Sequence, residues 1–243
     1  MRRYFCKLSF KGTDFHGWQS QLNASSVQEA IENAIAQLFS NTHYPIVGCG
    51  RTDAGVHAKA YFFHVDLPEK MGEGAIKNKL NLLLPKSIVI HDFYAVDDKL
   101  HARFNAKSRT YRYFIHDTKD PFKDDFSWFM RKSLNIPKMN KAASQLIGKH
   151  DFASFAKAHS DVSTTICEVT SAKWFKEGNQ LVFEISANRF LRNMVRAIVG
   201  TLLEVGTEKL VPENLQKIMA LKDRQAASLS VPPQGLFLWE IIY

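Results

Sequence analysis

The sequence predicts an α+β fold with a largely antiparallel sheet, and two observations carry that prediction. Runs of strand and helix character alternate irregularly, without the regular strand–helix–strand succession that builds a doubly wound parallel sheet. Two of the strand runs, 168–175 and 180–187, are joined only by Glu177-Gly178-Asn179, a hairpin connection.

The elements follow in order. Residues 4–10 alternate loosely between apolar and polar and read as a strand, leading into the loop KGTDFHGWQSQ. Ser26 opens a helix. Ser26 and Glu29 have the spacing of a capping box, each side chain serving the other's exposed N–H, and Val27, Ile31, Ala34, Ile35 and Leu38 form one apolar face. Residues 45–48 lead into GRTDAGVHA at 50–58, and 61–65 is a strand directly after it, so this stretch is a connection entering a strand. MGEGAIKNKLNLLLP reads as a second helix stopped before Pro85, followed by a strand at 87–95. The polar, basic run 97–109 divides the chain into halves, 1–107 and 108–243. The second half begins with a strand at 110–115, carries helices at 138–147, 190–204 and 212–221 besides the hairpin, and closes on the β-forming GLFLWEIIY.

Composition narrows the function classes. A chain of 243 residues, 45% hydrophobic, has enough material for one large domain or two modest ones. Lys plus Arg number 32 against 24 Asp plus Glu, a net charge of +8 that suits a polyanionic partner without requiring one. Cys6, Cys49 and Cys167 are odd in number and lack a Cys-x-x-Cys pair, which speaks for a reduced, cytoplasmic setting and against a disulfide frame or zinc site. MRRYFCKLSF lacks the apolar run of a signal peptide, and no stretch approaches the ~20 apolar residues of a membrane span, so no membrane association is expected.

Familiar catalytic signatures are missing. There is no His-Glu-x-x-His, no phosphate-binding glycine loop and no Gly-x-Ser-x-Gly, and His57 with His64 has no third ligand at metal spacing, so neither metal nor cofactor is expected. Asp53 lies between Gly50 and Gly55, with Arg51 two positions before it and His57 four after. It is either a turn residue or a reactive carboxylate fixed on a tight loop made pliable by both glycines. His57 is expected to hold that loop by a hydrogen bond, and Cys49 to be a small apolar filler. The paired acids Asp97-Asp98 and Asp124-Asp125 lie in polar runs and read as solvated. LHARFNAKSRTYRYFIH interleaves His101, Arg103, Lys107, Arg109 and Arg112 with Phe104, Tyr111, Tyr113 and Phe114. Such a mixture grips phosphates and bases of unpaired RNA, or forms a core strand with a charged wet face. In NRFLRNMVRAIVGTLLEVG, Leu191, Met194, Val195, Ile198 and Leu202 form an apolar stripe. Arg189, Arg192 and Arg196 fall on another face, solvated or free to bind phosphate or carboxylate.

GRTDAGVHA resembles the active-site motif of the TruA family of tRNA pseudouridine synthases. The likeness runs nearly end to end, through FKGTDFHGWQSQ, SVQEAIENAI, LHARFNA, SRTYRYFI, HDFASF, NRFLRNMVRAIVG and PPQGLFLWEIIY in the family's order. The resemblance implies a pseudouridine synthase fold of two similar α+β halves with a central RNA-binding cleft. It makes Asp53 the catalytic carboxylate, paired with Arg196. Arg51 would displace the target base, Tyr111 would contact the flipped uracil, and Leu236 or Leu238 would pack beneath it. Leu100, His101, Ala102, Arg103 and Phe104 would lie on the RNA. It implies uridines of the tRNA anticodon arm, positions 38 to 40, as substrate, a homodimer as the assembly, and no cofactor.

Four places depart from the family's pattern: Lys11, Lys59-Ala60-Tyr61, Leu100 and Cys167-Glu168. None removes a proposed catalytic group, and all bear on RNA contact. A catalytically idle tRNA-binding or chaperone protein of the same fold is the rival reading. A glycosidase acting on a nucleoside is another, which needs a second positioned acid.

Overall fold

The computed structural model describes residues 1–157 and 163–243. The chain divides into two compact units, Met1–Lys107 with Leu238–Tyr243, and Ser108–Phe237. The last six residues therefore join the first unit rather than the second half in which the sequence reading placed them.

In the first unit β1 (Arg2–Phe10) lies between β3 (His57–Leu67) and β4 (Ile88–Ala95), antiparallel to both. The strand order is β4-β1-β3-β10, where β10 is Leu236–Ile242, and the short β2 (Val47–Gly48) pairs with β3 at His64 and Phe63. Tyr4, Phe5, Cys6, Leu8 and Phe10 are all buried, so the loose alternation of β1 reflects a strand covered on both faces. Helix α1 (Val27–Leu38) begins where Ser26 Oγ accepts the Glu29 N–H at 3.1 Å. Glu29 returns no bond to Ser26 among the described residues, so only half of the capping box forms. Val27, Ile31, Ala34 and Ile35 are buried as the period predicts. Glu32 is buried beside them, its carboxylate accepting the Ile46 N–H at 3.0 Å and the Gln28 amide at 2.9 Å. That bond ties α1 to the segment entering β2. Helix α2 (Glu73–Leu83) packs on β4 and ends before Pro85.

In the second unit the order is β5-β9-β8-β7, antiparallel throughout, from β5 (Ser108–His116), β7 (Gly148–Asp151), β8 (Ile166–Glu177) and β9 (Gln180–Ala187). The two-residue β6 (Trp128–Phe129) adds a parallel pairing to β5. β8 and β9 form the anticipated hairpin, closed by Glu177 opposite Gln180, with Gly178 at a positive φ of 59°. Helices α3 (Ile136–Ala143), α4 (Met194–Gly206) and α5 (Asn214–Leu221) complete the unit. The fold is thus α+β with a mostly antiparallel sheet.

The helix boundary that matters most for the site differs from the sequence reading. α4 starts at Met194, not at 190, because Asn193 adopts a left-handed φ of 67° and the helix cannot extend back through it. Arg189 and Arg192 therefore precede α4 and do not share a helical face with Arg196. Leu191 is buried all the same, from the approach to the helix rather than from its stripe.

Candidate active site

The loop bearing Asp53 is held by backbone geometry from three directions. β2 runs antiparallel to β3, and β3 begins at His57, four residues earlier than its apolar run suggested, so the loop between them is short. Asp53 is half-buried and opens a β-turn in which the Val56 N–H donates to the Asp53 carbonyl at 3.1 Å. Gly55, third in the turn, has φ +76°, the sign that a type II turn demands there. Gly50 has no such requirement, and a Cβ on it meets nothing within 4 Å, so only one of the two flanking glycines serves the loop's conformation.

The segment 11–18 lies against this turn and bonds it repeatedly. The Gly12 N–H donates to His57 Nδ1 at 3.0 Å, the Gly55 N–H to the Phe15 carbonyl at 3.3 Å and the Trp18 N–H to the Thr52 carbonyl at 3.3 Å. Gly12 and Gly17 permit the approach. A Cβ on Gly12 would strike the Val56 carbonyl, and one on Gly17 would stand 2.5 Å from the Thr52 carbonyl oxygen. Beneath, the Tyr61 hydroxyl donates to the Gly50 carbonyl and its ring stacks on Trp18 at 4.0 Å between centroids. His57 is buried and accepts through Nδ1, which puts the proton of the neutral ring on Nε2. It holds the loop, as its sequence context suggested. Cys49 is buried, and Arg51 is exposed. The Thr52 hydroxyl is buried without a hydrogen-bond partner among the described residues.

The segment 100–104 belongs to the same unit and is clamped as closely. Arg3, gripped bidentately by Asp66 at 2.9 and 2.8 Å, donates to the Leu100 carbonyl at 3.2 Å. The Ala102 N–H donates to His64 Nδ1 at 3.1 Å and the Ala102 carbonyl accepts from the Tyr243 hydroxyl at 2.7 Å. His101 Nδ1 accepts the N–H groups of Arg103 and Phe104 at 3.1 and 3.3 Å. Ala102 is fully buried and Phe104 is 75% exposed, with the Arg103 guanidinium 5.6 Å from its ring centroid. Burial, with the Arg3 and His101 charges nearby, pushes the His64 pKa down to about 4.

Tyr111, Arg196 and Leu236 belong to the second unit, and Leu238 to the first. Tyr111 is half-buried with its ring edge-on to Phe190 at 5.1 Å. Arg196 lies in the first turn of α4, where its Nε donates to the Val231 carbonyl at 2.8 Å. On β5, two residues after Tyr111, the Tyr113 hydroxyl donates to the Pro232 carbonyl at 2.9 Å, and burial pushes its pKa far up. Leu236 and Leu238 are buried. Arg112, one of the cations of the aromatic–basic run, pairs with Glu184 on the neighbouring strand at 2.8 Å in a partly buried cross-strand ion pair. Asp97, Asp98, Asp124 and Asp125 are exposed.

Sequence reasoning did not single out Gly12, Gly17 or Tyr243, and it named Tyr61 and His64 without their hydrogen-bonding roles. The closely spaced glycines of KGTDFHG were the one visible trace of the cradle. Among the described residues no group of three His, Cys, Asp or Glu is placed to hold a metal ion, and no helix is long and apolar enough to cross a membrane.

Comparison with known proteins gives the chain's relatives. A family model described as tRNA pseudouridine synthase matches residues 142–243. A protein named tRNA pseudouridine synthase A from Parabacteroides distasonis is 47% identical over 244 residues, covering 100% of this chain and 96% of the relative. A Porphyromonas gingivalis protein of that name is 44% identical, covering 100% of this chain and 98% of its own length. One from Bacillus subtilis is 38% identical, with 99% of each chain covered.

Proposed function

The chain belongs to the TruA family of tRNA pseudouridine synthases, isomerases that convert uridine to pseudouridine in tRNA, and we propose that Asp53 is the catalytic carboxylate of this member. The uridines it acts on are those of the anticodon arm, at positions 38 to 40. It works as a homodimer in the cytoplasm. The observation that carries the assignment to Asp53 is its turn. The carboxylate stands on a backbone bonded at Thr52, Asp53 and Gly55, so it meets substrate with little left to reorganise.

The chemistry needs little besides. The bond from ribose C1′ to N1 breaks, the uracil turns, C5 joins C1′, the C5 proton leaves to solvent and N1 takes a proton. Product and substrate are isomers, so no electron is gained or lost. A carboxylate serves as nucleophile or base only while ionised, and a desolvated site raises its pKa. In this reading Arg196 is the counter-ion that keeps company with the Asp53 carboxylate. The target base must leave its stack at a cost of a few kcal/mol. Arg51, exposed and planar, fills the gap it leaves. Tyr111 offers its face to the extruded uracil, Leu236 and Leu238 back it, and residues 100–104 hold the RNA.

Unmodified tRNA transcripts tritiated at uridine C5 provide the test. Release of tritium to water by wild type and none by Asp53→Ala supports the assignment, and mapping the product locates the uridines. An Asp53→Ala protein that still turns over removes Asp53 from the mechanism. A wild type that binds tRNA and releases nothing leaves the idle tRNA-binding protein as the reading.

A further inference from the structure

We propose that His64 is a positioning residue for tRNA: it holds the backbone of residues 100–104 in the shape that presents Arg103 and Phe104 to the RNA. This rests on the reading that the segment touches tRNA.

The Ala102 peptide is the anchor. Ala102 is fully buried, and both its backbone polar groups are satisfied by side chains, the N–H by His64 Nδ1 at 3.1 Å and the carbonyl by the Tyr243 hydroxyl at 2.7 Å. Neither bond belongs to a sheet ladder, so nothing else in the described residues replaces them. Around that anchor the chain turns outward. The His101 ring meets His64 edge-on at 4.7 Å and stacks on Phe104 at 4.3 Å, while its Nδ1 takes the next two backbone N–H groups. The rings of His64, His101 and Phe104 thus form a continuous path from buried strand to exposed platform.

An exposed phenylalanine ordered by this many bonds, with an arginine beside it, suits a nucleobase and its phosphate. His64 must be unprotonated at Nδ1 to accept the Ala102 N–H, and its depressed pKa keeps it so throughout neutral pH. A leucine at position 64 fills space but leaves a buried N–H without an acceptor, and the loop has to shift to solvate it.

Tritium-release kinetics across a range of tRNA concentrations test this. His64→Leu is expected to raise KM for tRNA about tenfold and leave kcat within about twofold. His64→Asn, whose Oδ1 substitutes for Nδ1 as acceptor, should stay within about threefold of wild-type KM. In a Phe104→Ala background, His64→Leu should add less than about threefold, because both act through one loop. A folded His64→Leu with wild-type KM overturns the proposal, as does an Asn variant equal to the Leu variant or full additivity with Phe104→Ala. Should His64→Leu fail to fold, Tyr243→Phe carries the test. It keeps the ring against Phe5 and Phe62 and removes the hydroxyl that bonds Ala102. A KM raised about threefold supports the proposal and an unchanged one overturns it. Unchanged KM for both Arg103→Ala and Phe104→Ala refutes tRNA contact by the segment itself, a different result from His64→Leu alone being silent.

Discussion

Gly17→Ala puts the Asp53 assignment under the most direct structural strain. Gly17 has φ +102°, outside even the left-handed region that L-residues visit, and a side chain held there costs about 1–3 kcal/mol. The new Cβ would also stand 2.5 Å from the Thr52 carbonyl oxygen, 3.3 Å from Asp53 C and 3.4 Å from Ala54 N. Ordinary contact requires the Thr52–Asp53 peptide to retreat by roughly an ångström, since Gly17 is itself held by the Val27 N–H on its carbonyl at 3.2 Å. A displacement of that size at a reacting group lowers kcat on the order of 10²-fold. The assay is single-turnover tritium release at saturating tRNA, at a temperature where circular dichroism shows the variant folded. Melting should fall by several degrees, at roughly 2–4 °C per kcal/mol for a chain of this size. A Gly17→Ala protein that melts lower yet keeps kcat within threefold of wild type refutes the reasoning. It would mean that the 52–54 backbone moves without consequence, and that Asp53 does not act from this turn.

Three further outcomes follow from the same geometry. Gly74→Ala is the control, a helical glycine in α2 with nothing within 4 Å of a new Cβ, and should stabilise the protein by about 0.5 kcal/mol in urea unfolding while leaving kcat unchanged. Ser26→Ala removes the bond to the Glu29 N–H at the start of α1 and should cost about 1 kcal/mol, read as a lower urea midpoint at unchanged slope. His64 makes stability fall on acidification. Its folded pKa of about 4 lies below the ordinary 6.5, so the unfolded chain binds the proton more readily, and the stability it contributes is complete above pH 6.5 and is lost as pH falls through 4. Urea titrations of wild type and His64→Asn between pH 7 and 4 should converge toward the acid end, and parallel curves would refute the shift.

Much of the fold was legible because it depends on local pattern. Ser26, the apolar face of α1 and the Glu177-Gly178-Asn179 turn each act over a few residues, and each forms where the spacing put it. The start of α4 was not, because Leu191 continues the apolar stripe of the helix while the left-handed Asn193 breaks its backbone, and a hydrophobic period does not register a φ angle. The site divides in the same way. Asp53 and its turn could be read from neighbours in sequence, including the hydrogen-bonding role of His57. The cradle could not, since Gly12 and Gly17 act on residues some forty positions away and matter for the side chains they lack. Arg112 was ambiguous for a related reason. Its partner Glu184 sits on another strand, and only the register of β5 with β9 brings the two together.

The two buried histidines of β3 perform one task in two places. His57 accepts the Gly12 N–H and His64 accepts the Ala102 N–H, each through Nδ1. A strand spends its own N–H and carbonyl groups on the ladder and has none left to hold a neighbouring loop, so the grip must come from side chains. A neutral imidazole supplies an acceptor for a buried N–H without bringing in the charge that an aspartate there would carry, a charge costly to bury unpaired. The consequence is a shared reference. The segment that cradles Asp53 and the segment that presents Arg103 and Phe104 are referred to one strand, seven residues apart along it. A disturbance at either histidine therefore moves its own loop and leaves the other on its bond, which is why His64→Leu should change tRNA affinity while the turn that carries Asp53 stays in place.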